Sequence, residues 1–485
     1  MIRACLLIAL VGASSVQAQN NTPISAIEWL SQPSLAPIAE EKVTAPENNP
    51  EKIPAKIIIS NLKTNKDEKY GLIPQEISGI PENFWTEIDS DTLHQLLMNQ
   101  PRSNLPSADD LLIRALLATT AGDTNVLLVR VETLVDRGAV QAAYSLIKQA
   151  QIENIQSFEL FAKTALLTNN VEEMCVRLNG ARHLSNNEAL RVYCQLHSGS
   201  RTIARINFSA LKALGEFGPI TSTLLAASLN KENKKNFTLP EVNLPTMTPL
   251  DFHLWNNIGQ TVPTKNLPIS FATLGLKKSS TWLEKIQATE RLSITGSLPA
   301  DILLQTYNSG QVATSGGDWD RVLAVQALNR VLSDPIIDPS NELNYFWETQ
   351  QDKKLIATLS RAWSDRLLEF STTNIDNDLL FQMQVLSRQN AFPFKMTMKR
   401  LQNKHQLLSP KVFKEVMSMF DKEIFVSKEF RAINILKAMR FISKALNGDR
   451  LALSKAILLY REMGLTPLAQ QLAMEFMIIG NLNDS

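Results

Sequence analysis

Residues 109–119 read DDLLIRALLAT, and residues 125–136 read NVLLVRVETLVD. In both stretches the apolar residues recur three, four and seven positions apart, which is the pattern of a helix with one buried face. The same spacing continues through most of the chain up to residue 479. We therefore predict an all-α fold with minimal strand.

A weak internal repeat accompanies the helical periodicity. Each copy has Gly or Asn after one helix, a small residue five positions later and Leu eight positions later. The copies are Gly138, Ala143 and Leu146; Asn170, Cys175 and Leu178; Gly464, Ala469 and Leu472; and, in part, Gly199 and Ala204. Gly or Asn takes the left-handed conformation that ends a helix, and the small residue lets two antiparallel helices approach. The repeat favours an α-solenoid of antiparallel helical hairpins over a compact bundle.

The first eighteen residues have the organisation of an export signal. Arg3 precedes an apolar run at residues 4–11, and Val16-Gln17-Ala18 has the small-x-small ending that signal peptidase cleaves. The run is much shorter than the roughly 20 residues of a membrane span. Cys5 lies inside this run, not at its exit, which argues against a lipoprotein anchor. We expect a signal peptide at 1–18 and a mature periplasmic protein that is not inserted in the membrane.

Residues 19–56 combine a short apolar segment, ISAIEWL at 24–30, with a Pro-rich linker of polyproline character. The apolar segment either folds back onto the body of the protein or docks on a partner, and the docking residues would be Ile24, Ile27, Trp29 and Leu30. The rest of the chain divides into an N-terminal lead-in at 57–104, a first helical-repeat region at 105–238, a Pro-rich connector at 239–268 and a second helical-repeat region at 269–485.

Local signals give three further predictions. Residues 70–80, YGLIPQEISGI, contain two Gly and one Pro and favour a loop. A helix should follow near residues 89–99, with Ser90 or Asp91 as its N-cap. The one glycine-rich turn that enters a helix, SGGDW at 315–319, predicts a flexible loop with Asp318 as the N-cap and Trp319 packed on a neighbouring helix.

Signal cleavage would leave two cysteines, Cys175 and Cys194. They lie in helices that should form one hairpin with a turn near residues 185–187, and an oxidising compartment favours a disulfide between them. A zinc site that adds His183 and His197 is the alternative. Because these spacings match no compact zinc module, we predict the disulfide and no metal.

Composition and motifs exclude several classes of function. Cleavage removes Arg3 and no acid, so the 49 basic residues become 48 and equal the 48 acidic residues. A neutral chain has no large field to attract nucleic acid or an anionic membrane. The G-x-S-x-G elbow, H-E-x-x-H and the phosphate-binding glycine patterns do not occur in the sequence. We predict no catalytic residues and no cofactor.

Several stretches resemble a group of secreted alphaproteobacterial helical proteins of unassigned function. They are ISAIEWL at 24–30, YGLIP at 70–74 followed by ISGIP at 77–81 and Trp85, the two spaced cysteines, and TSGGDWDRV at 314–322. The hairpins are also similar to tetratricopeptide and Sel1-like repeats and to the helical part of soluble lytic transglycosylases, whose Glu-Ser catalytic domain is missing here. The resemblance implies an architecture and a compartment but no activity.

These patterns predict a non-catalytic periplasmic scaffold or adaptor that binds another cell-envelope protein. One alternative is a peptidoglycan-associated enzyme or enzyme accessory, which would need a carboxylate with a raised pKa in a cleft. Another is a periplasmic accessory protein of the flagellar motor.

Overall fold

A computed structural model describes residues 68–86, 88–101, 105–150, 152–230, 246–260, 262–312, 316–350, 353–370, 377–387, 392–424 and 426–480. All of the described residues belong to one compact unit. The predicted signal peptide, the Pro-rich linker and the docking residues Ile24, Ile27, Trp29 and Leu30 lie outside the described residues.

The described part of the chain is helical apart from two short strands. The strands β1 (Lys69–Tyr70) and β2 (Thr120–Ala121) pair antiparallel. The helices are α1 (Gln75–Ser78), α2 (Ser90–Met98), α3 (Pro106–Leu117), α4 (Thr124–Arg137), α5 (Val140–Ile147), α6 (Ile155–Leu167), α7 (Val171–Gly180), α8 (Glu188–His197), α9 (Arg201–Ala213), α10 (Pro219–Leu229), α11 (Pro249–Asn257), α12 (Trp282–Ile294), α13 (Ala300–Asn308), α14 (Asp318–Val331), α15 (Ser340–Thr349), α16 (Lys353–Ala362), α17 (Ser364–Glu369), α18 (Asp378–Ser387), α19 (Phe394–His405), α20 (Pro410–Asp421), α21 (Ala432–Leu446), α22 (Ala452–Glu462) and α23 (Thr466–Ile479). Short 3-10 helices cover Arg182–Leu184, Thr264–Asn266 and Ile269–Leu276.

The prediction of an all-α helical-repeat fold is confirmed. Consecutive helices pack on each other from α4 through α9 and again from α21 through α23. Gly138 and Gly464 end their helices at φ values of +91° and +80°, in the region that glycine enters without steric cost. The small and leucine positions of the repeat are buried, as helix packing requires.

The register of one repeat copy was predicted wrongly. Asn169, not Asn170, takes the left-handed conformation, with φ of +63°. Asn170 instead stands immediately before the first residue of α7, at φ of −91°. The error has a simple cause: both positions are Asn, and either can occupy the left-handed turn.

Three other local predictions need correction. Asp89 is the N-cap of α2, since its Oδ1 accepts a hydrogen bond from the backbone N–H of Thr92 at 2.8 Å, whereas Ser90 and Asp91 lie inside the helix. The stretch 70–80 contains α1 and the end of β1 as well as loop. Gly317 precedes α14 as its cap residue, so Asp318 is the first helical residue and not the N-cap. Within the predicted connector at 239–268, Pro249–Asn257 form the helix α11.

Arg130 fixes the lead-in onto the first hairpin. Its guanidinium is 2% exposed and donates hydrogen bonds to the carbonyls of Leu116, Ala118 and Tyr70 at 2.7–3.2 Å and to the hydroxyl of Thr120 at 3.0 Å. No carboxylate pairs with it within the described ranges. Burial lowers the pKa of Arg130 to about 9. Backbone carbonyls from β1 and from the end of α3 thus take the place of a counter-ion.

The last helix contacts one of the first, although a simple solenoid joins each repeat only to its neighbours. Glu475 of α23 is 0% exposed and accepts hydrogen bonds from Ser107 N at 3.0 Å and Ser107 Oγ at 2.6 Å. These donors belong to the first turn of α3, so Glu475 caps that helix from 368 residues away. Arg361 and Gln471 also donate to Glu475, at 3.2 and 3.3 Å, and Arg361 pairs with Asp110. We call these five residues the terminal clasp.

Candidate binding groove

Alternate helices of the N-terminal half enclose two adjoining hollows. The first has a volume of about 610 Å³ and lies between α2, α4 and α6; the second has about 480 Å³ and lies between α6, α8, α10 and α11. Glu159 and Lys163 of α6 line both hollows. We therefore treat the two hollows as one surface, the binding groove, which crosses α6.

Helix periodicity explains which side chains reach the groove. On α4 the lining residues Asn125, Leu128 and Glu132 are three and four positions apart, and on α6 Gln156, Glu159 and Lys163 have the same spacing. Residues at this spacing share one face of a helix. Because the opposite faces of α4 and α6 are buried in the repeat, these residues are left to line the open side.

The first hollow is acidic. It contains the carboxylates of Asp91, Glu132 and Glu159 and one lysine, Lys163. His94 contacts Glu132, with 3.5 Å between Nε2 and Oε2, and both side chains are more than 40% exposed. Asp91, Glu159 and Lys163 form no ion pair with any part of the chain that the structure describes. The charges of these three residues are therefore available to a ligand.

The second hollow is more apolar. Its floor includes Leu166, Leu190 and Leu250, which are 4–6% exposed, and Phe217 lies at its edge, stacked on Phe208 with 5.5 Å between ring centroids. The polar side chains of Ser185, Asn187, Thr221 and Thr248 complete the lining. One more carboxylate, Glu216, lies exposed at this hollow and, among the described residues, has no ion pair.

Cys175 and Cys194 form a disulfide, with 5.1 Å between their Cα atoms. The bond joins α7 to α8 around the turn at 185–187, where the sequence places it. It fixes α8, which contributes Ala189 and Leu190 to the second hollow. His183 is exposed, and His197 stacks on Tyr193 with 6.1 Å between ring centroids. Across the described ranges, no three His, Cys, Asp or Glu side chains are grouped so as to hold a metal ion.

His253 contacts the backbone of Leu166, which lines the second hollow. It is 7% exposed, and its Nε2 lies 2.8 Å from the carbonyl of Leu166, while Tyr193 Oη lies 3.4 Å from Nδ1. Desolvation lowers the pKa of His253, so the ring is neutral and carries its proton on Nε2, facing the carbonyl. This contact attaches α11 to α6. His253 is therefore a helix-packing residue.

Other buried charges stay away from the groove. Glu290 receives a bidentate pair from Arg321 at 2.7 and 2.9 Å and a hydrogen bond from Tyr307. Asp318, from the glycine-rich turn, also pairs with Arg321, at 3.0 Å. Trp319 packs on Trp282 with 5.2 Å between ring centroids. Neither this cluster nor the terminal clasp lines either hollow, so their charges support the structure and not a cleft.

The groove residues were not predicted from the sequence. The groove's polar residues lie on helix faces or in turns where solvent exposure is the ordinary expectation, and its apolar residues, such as Leu166 and Leu190, have the pattern of core residues. Only helix packing shows which of these surfaces adjoin. The signal that was present is the polar face of α6, where Gln156, Glu159 and Lys163 follow one another at helical spacing.

Comparison with known proteins adds no family. No family model matches the chain, and no curated protein matches it in sequence. Among the helices that the structure describes, none has the length and apolar character needed to cross a bilayer. A buried disulfide is typical of proteins that fold in an oxidising compartment.

Proposed function

We propose that this chain is a non-catalytic helical-repeat adaptor of the cell envelope, which binds a segment of another envelope protein in the binding groove. On this proposal the signal peptide is removed after Ala18, and the mature protein is periplasmic. The disulfide supports an oxidising compartment of this kind.

The observation that carries the proposal is the groove itself. Every second helix from α2 to α8 contributes side chains to it, and α10 and α11 complete the lining. Apart from residues of the turns before α8, α10 and α11, the lining side chains lie on packed helices, which hold them more firmly than loops do and so lower the entropy lost on binding. A surface of this kind suits a peptide or protein segment better than a small metabolite, because the hollows are open and lie side by side.

The N-terminal segment is a second candidate contact. Ile24, Ile27, Trp29 and Leu30 would offer an apolar surface at the end of a linker, and such a tether raises the effective concentration of a second binding site. The adaptor would then hold a partner at two points, the groove and the tethered segment.

Photo-crosslinking in cells tests the proposal. A photoreactive amino acid replaces Gln156, which is exposed and lines the first hollow, and in a control variant it replaces Thr202, which is exposed on α9 and lines neither hollow. We expect one reproducible envelope protein to be crosslinked from position 156 and not from position 202. The proposal fails if no protein is crosslinked from position 156, or if both positions give the same proteins.

Fractionation gives the compartment. The mature protein should be recovered with the periplasm and should begin at Gln19 on N-terminal sequencing. A full-length chain in the cytoplasm would contradict the export part of the proposal.

A further inference from the structure

We propose that the groove binds its partner segment in an extended, polyproline II conformation, with a lysine or arginine side chain in the first hollow and an apolar side chain in the second. This inference rests on the proposed function and names the chemistry of the partner. It draws on the charge of one hollow, the apolar floor of the other and the width of the helix between them.

The charge of the groove favours a basic ligand. Four carboxylates line it, those of Asp91, Glu132, Glu159 and Glu216, against one lysine, Lys163. Because the described residues offer no ion pair to Asp91, Glu159 or Glu216, a cationic side chain would gain a carboxylate partner without breaking an existing pair. The mature chain as a whole is predicted to be neutral, so this potential is local to the groove and selects for charge at that place. An anionic ligand such as a nucleic acid would be repelled there.

The second hollow favours an apolar side chain. Leu166, Leu190 and Leu250 form a buried floor, and Phe217 provides an aromatic wall that is partly open. Displacing water from such a surface by a leucyl or aromatic side chain is favourable in proportion to the apolar area covered. The hydroxyls of Thr221 and Thr248 are both bonded to Asp251, so these two lining residues already have hydrogen-bond partners within the protein.

The helix between the hollows sets the spacing of the ligand. Packed helices lie about 8–10 Å apart, and a polyproline II chain advances about 3.1 Å per residue with about three residues per turn. A segment that crosses α6 in this conformation would separate its basic and apolar residues by about three positions, which places both side chains on the face toward the groove. Lys163, on the crossing, can donate to a backbone carbonyl of the segment, which satisfies a polar group that the groove would otherwise desolvate.

Peptide binding by the full-length mature protein tests this inference. The probe is a fluorescein-labelled peptide of Ser, Gly and Asn with one lysine about three positions before one leucine, the spacing that shares a face in a polyproline II chain. Three control peptides have glutamate for the lysine, serine for the leucine, or the lysine moved next to the leucine. Fluorescence anisotropy at low and high salt gives the dissociation constants.

The double variant Glu132→Gln, Glu159→Gln removes two of the four carboxylates that line the groove. Its matched control is Asp301→Asn with Glu348→Gln, two exposed acids that line neither hollow. Phe217→Ser tests the apolar hollow separately. Urea unfolding of each variant establishes that it is folded.

We expect the lysine–leucine peptide to bind about tenfold more tightly than each control peptide. The Glu132→Gln, Glu159→Gln variant should bind the lysine–leucine peptide about tenfold more weakly than the wild type, and its binding should depend little on salt. The control double variant should show neither change. Phe217→Ser should weaken the lysine–leucine peptide while leaving the serine control unchanged.

The failures are distinguishable. Equal binding of the glutamate and lysine peptides would overturn the basic preference, and equal binding of the adjacent-lysine peptide would overturn the extended crossing of α6; crosslinking from position 156 would still support the adaptor in both cases. If no peptide binds but the crosslink persists, the partner presents a folded surface and the inference is wrong. If the crosslink is also missing, the proposed function fails with it.

Discussion

The terminal clasp and the binding groove hold carboxylates in opposite states. Glu475 in the clasp is 0% exposed and accepts hydrogen bonds from Ser107, Arg361 and Gln471. Glu159 in the groove is exposed and, within the described residues, has neither an ion pair nor a hydrogen bond to its side chain. Residues 471–479 of α23 are all buried, whereas Gln156 and Glu159 of α6 are exposed, so the two carboxylates differ in how their helices are packed.

The difference shows how this fold separates support from recognition. A buried charge is costly unless its partners are provided inside the protein, so the clasp brings residues 107, 361 and 475 together. An exposed carboxylate without a partner costs little free energy, because water solvates it. It therefore stays available to another molecule. Changes in the clasp should therefore alter stability, and changes in the groove should alter binding.

The substitution with the largest expected effect is Glu475→Ala. It leaves Ser107 N–H without its acceptor and removes one of the two carboxylates around Arg361, and breaking a buried pair of this kind costs about 3–5 kcal/mol. Urea unfolding should give this loss, whereas Glu159→Ala should stay within about 0.5 kcal/mol of the wild type. A loss in Glu159→Ala as large as that in Glu475→Ala would contradict the comparison.

Loss of the disulfide comes next. Cys175→Ala with Cys194→Ala opens a loop whose ends are 19 residues apart, and the chain-entropy estimate is about 3 kcal/mol of unfolding free energy. Because α8 lines the second hollow, binding to apolar groups should weaken more than binding to the basic group. A reducing agent should destabilise the wild type similarly and leave the double variant unchanged; a response of that variant to reductant would mean that something else is being reduced.

Arg130→Lys should cost about 2 kcal/mol of unfolding free energy. Lysine keeps the charge but cannot reproduce the forked geometry that reaches Leu116 O, Ala118 O and Tyr70 O together, so at least one buried carbonyl loses its donor. Denaturant unfolding measures the effect, and Arg366→Lys is the control because Arg366 bonds Asn329 at an exposed site. Equal effects of the two substitutions would show that the burial of Arg130 contributes little.

The smallest expected effect concerns pH. Burial raises the pKa of Glu475 above 4.5, so above that value the native state binds more protons at this site than the unfolded state. The contribution of Glu475 to stability is therefore fully present at lower pH and decreases as the pH rises through its native pKa. Asp378 acts in the opposite direction, because hydrogen bonds from Lys404 and Arg400 lower its pKa.

Comparison with Glu475→Gln isolates the Glu475 contribution from that of Asp378. The free energy of unfolding of the wild type minus that of the variant should fall as the pH rises above 4.5. A difference that rises with pH instead would show that Arg361 and Ser107 outweigh burial at Glu475.

Much of the fold followed from local pattern. Apolar residues at helical spacing predicted the helices, and Gly138 and Gly464 end theirs as expected. Where two neighbouring residues suit a helix end equally well, as with Asn169 and Asn170 or Asp89 and Ser90, the predicted residue was wrong. Short-range preferences did not fix the helix end to one residue. The candidate docking residues Ile24, Ile27, Trp29 and Leu30 stay a prediction.

The clasp and the groove did not follow from pattern. Glu475 interrupts an otherwise apolar helix, which indicates a buried charge. The local sequence does not indicate that its partners are Ser107 and Arg361. The polar groove residues of α2, α4 and α6 have the sequence pattern of any solvated helix face. Both depend on which helices pack together, and that packing involves residues from distant parts of the chain.

The sequence by itself determined the helices, their turns and the cysteine pair, because each depends on backbone preferences and contacts within a few tens of residues. Only the tertiary structure decided that α23 caps α3 and that α2, α4, α6 and α8 line one surface. Contacts of that range result from the summed packing angles of many helices, and a small change in each angle would move the carboxylates of Glu132 and Glu159 apart.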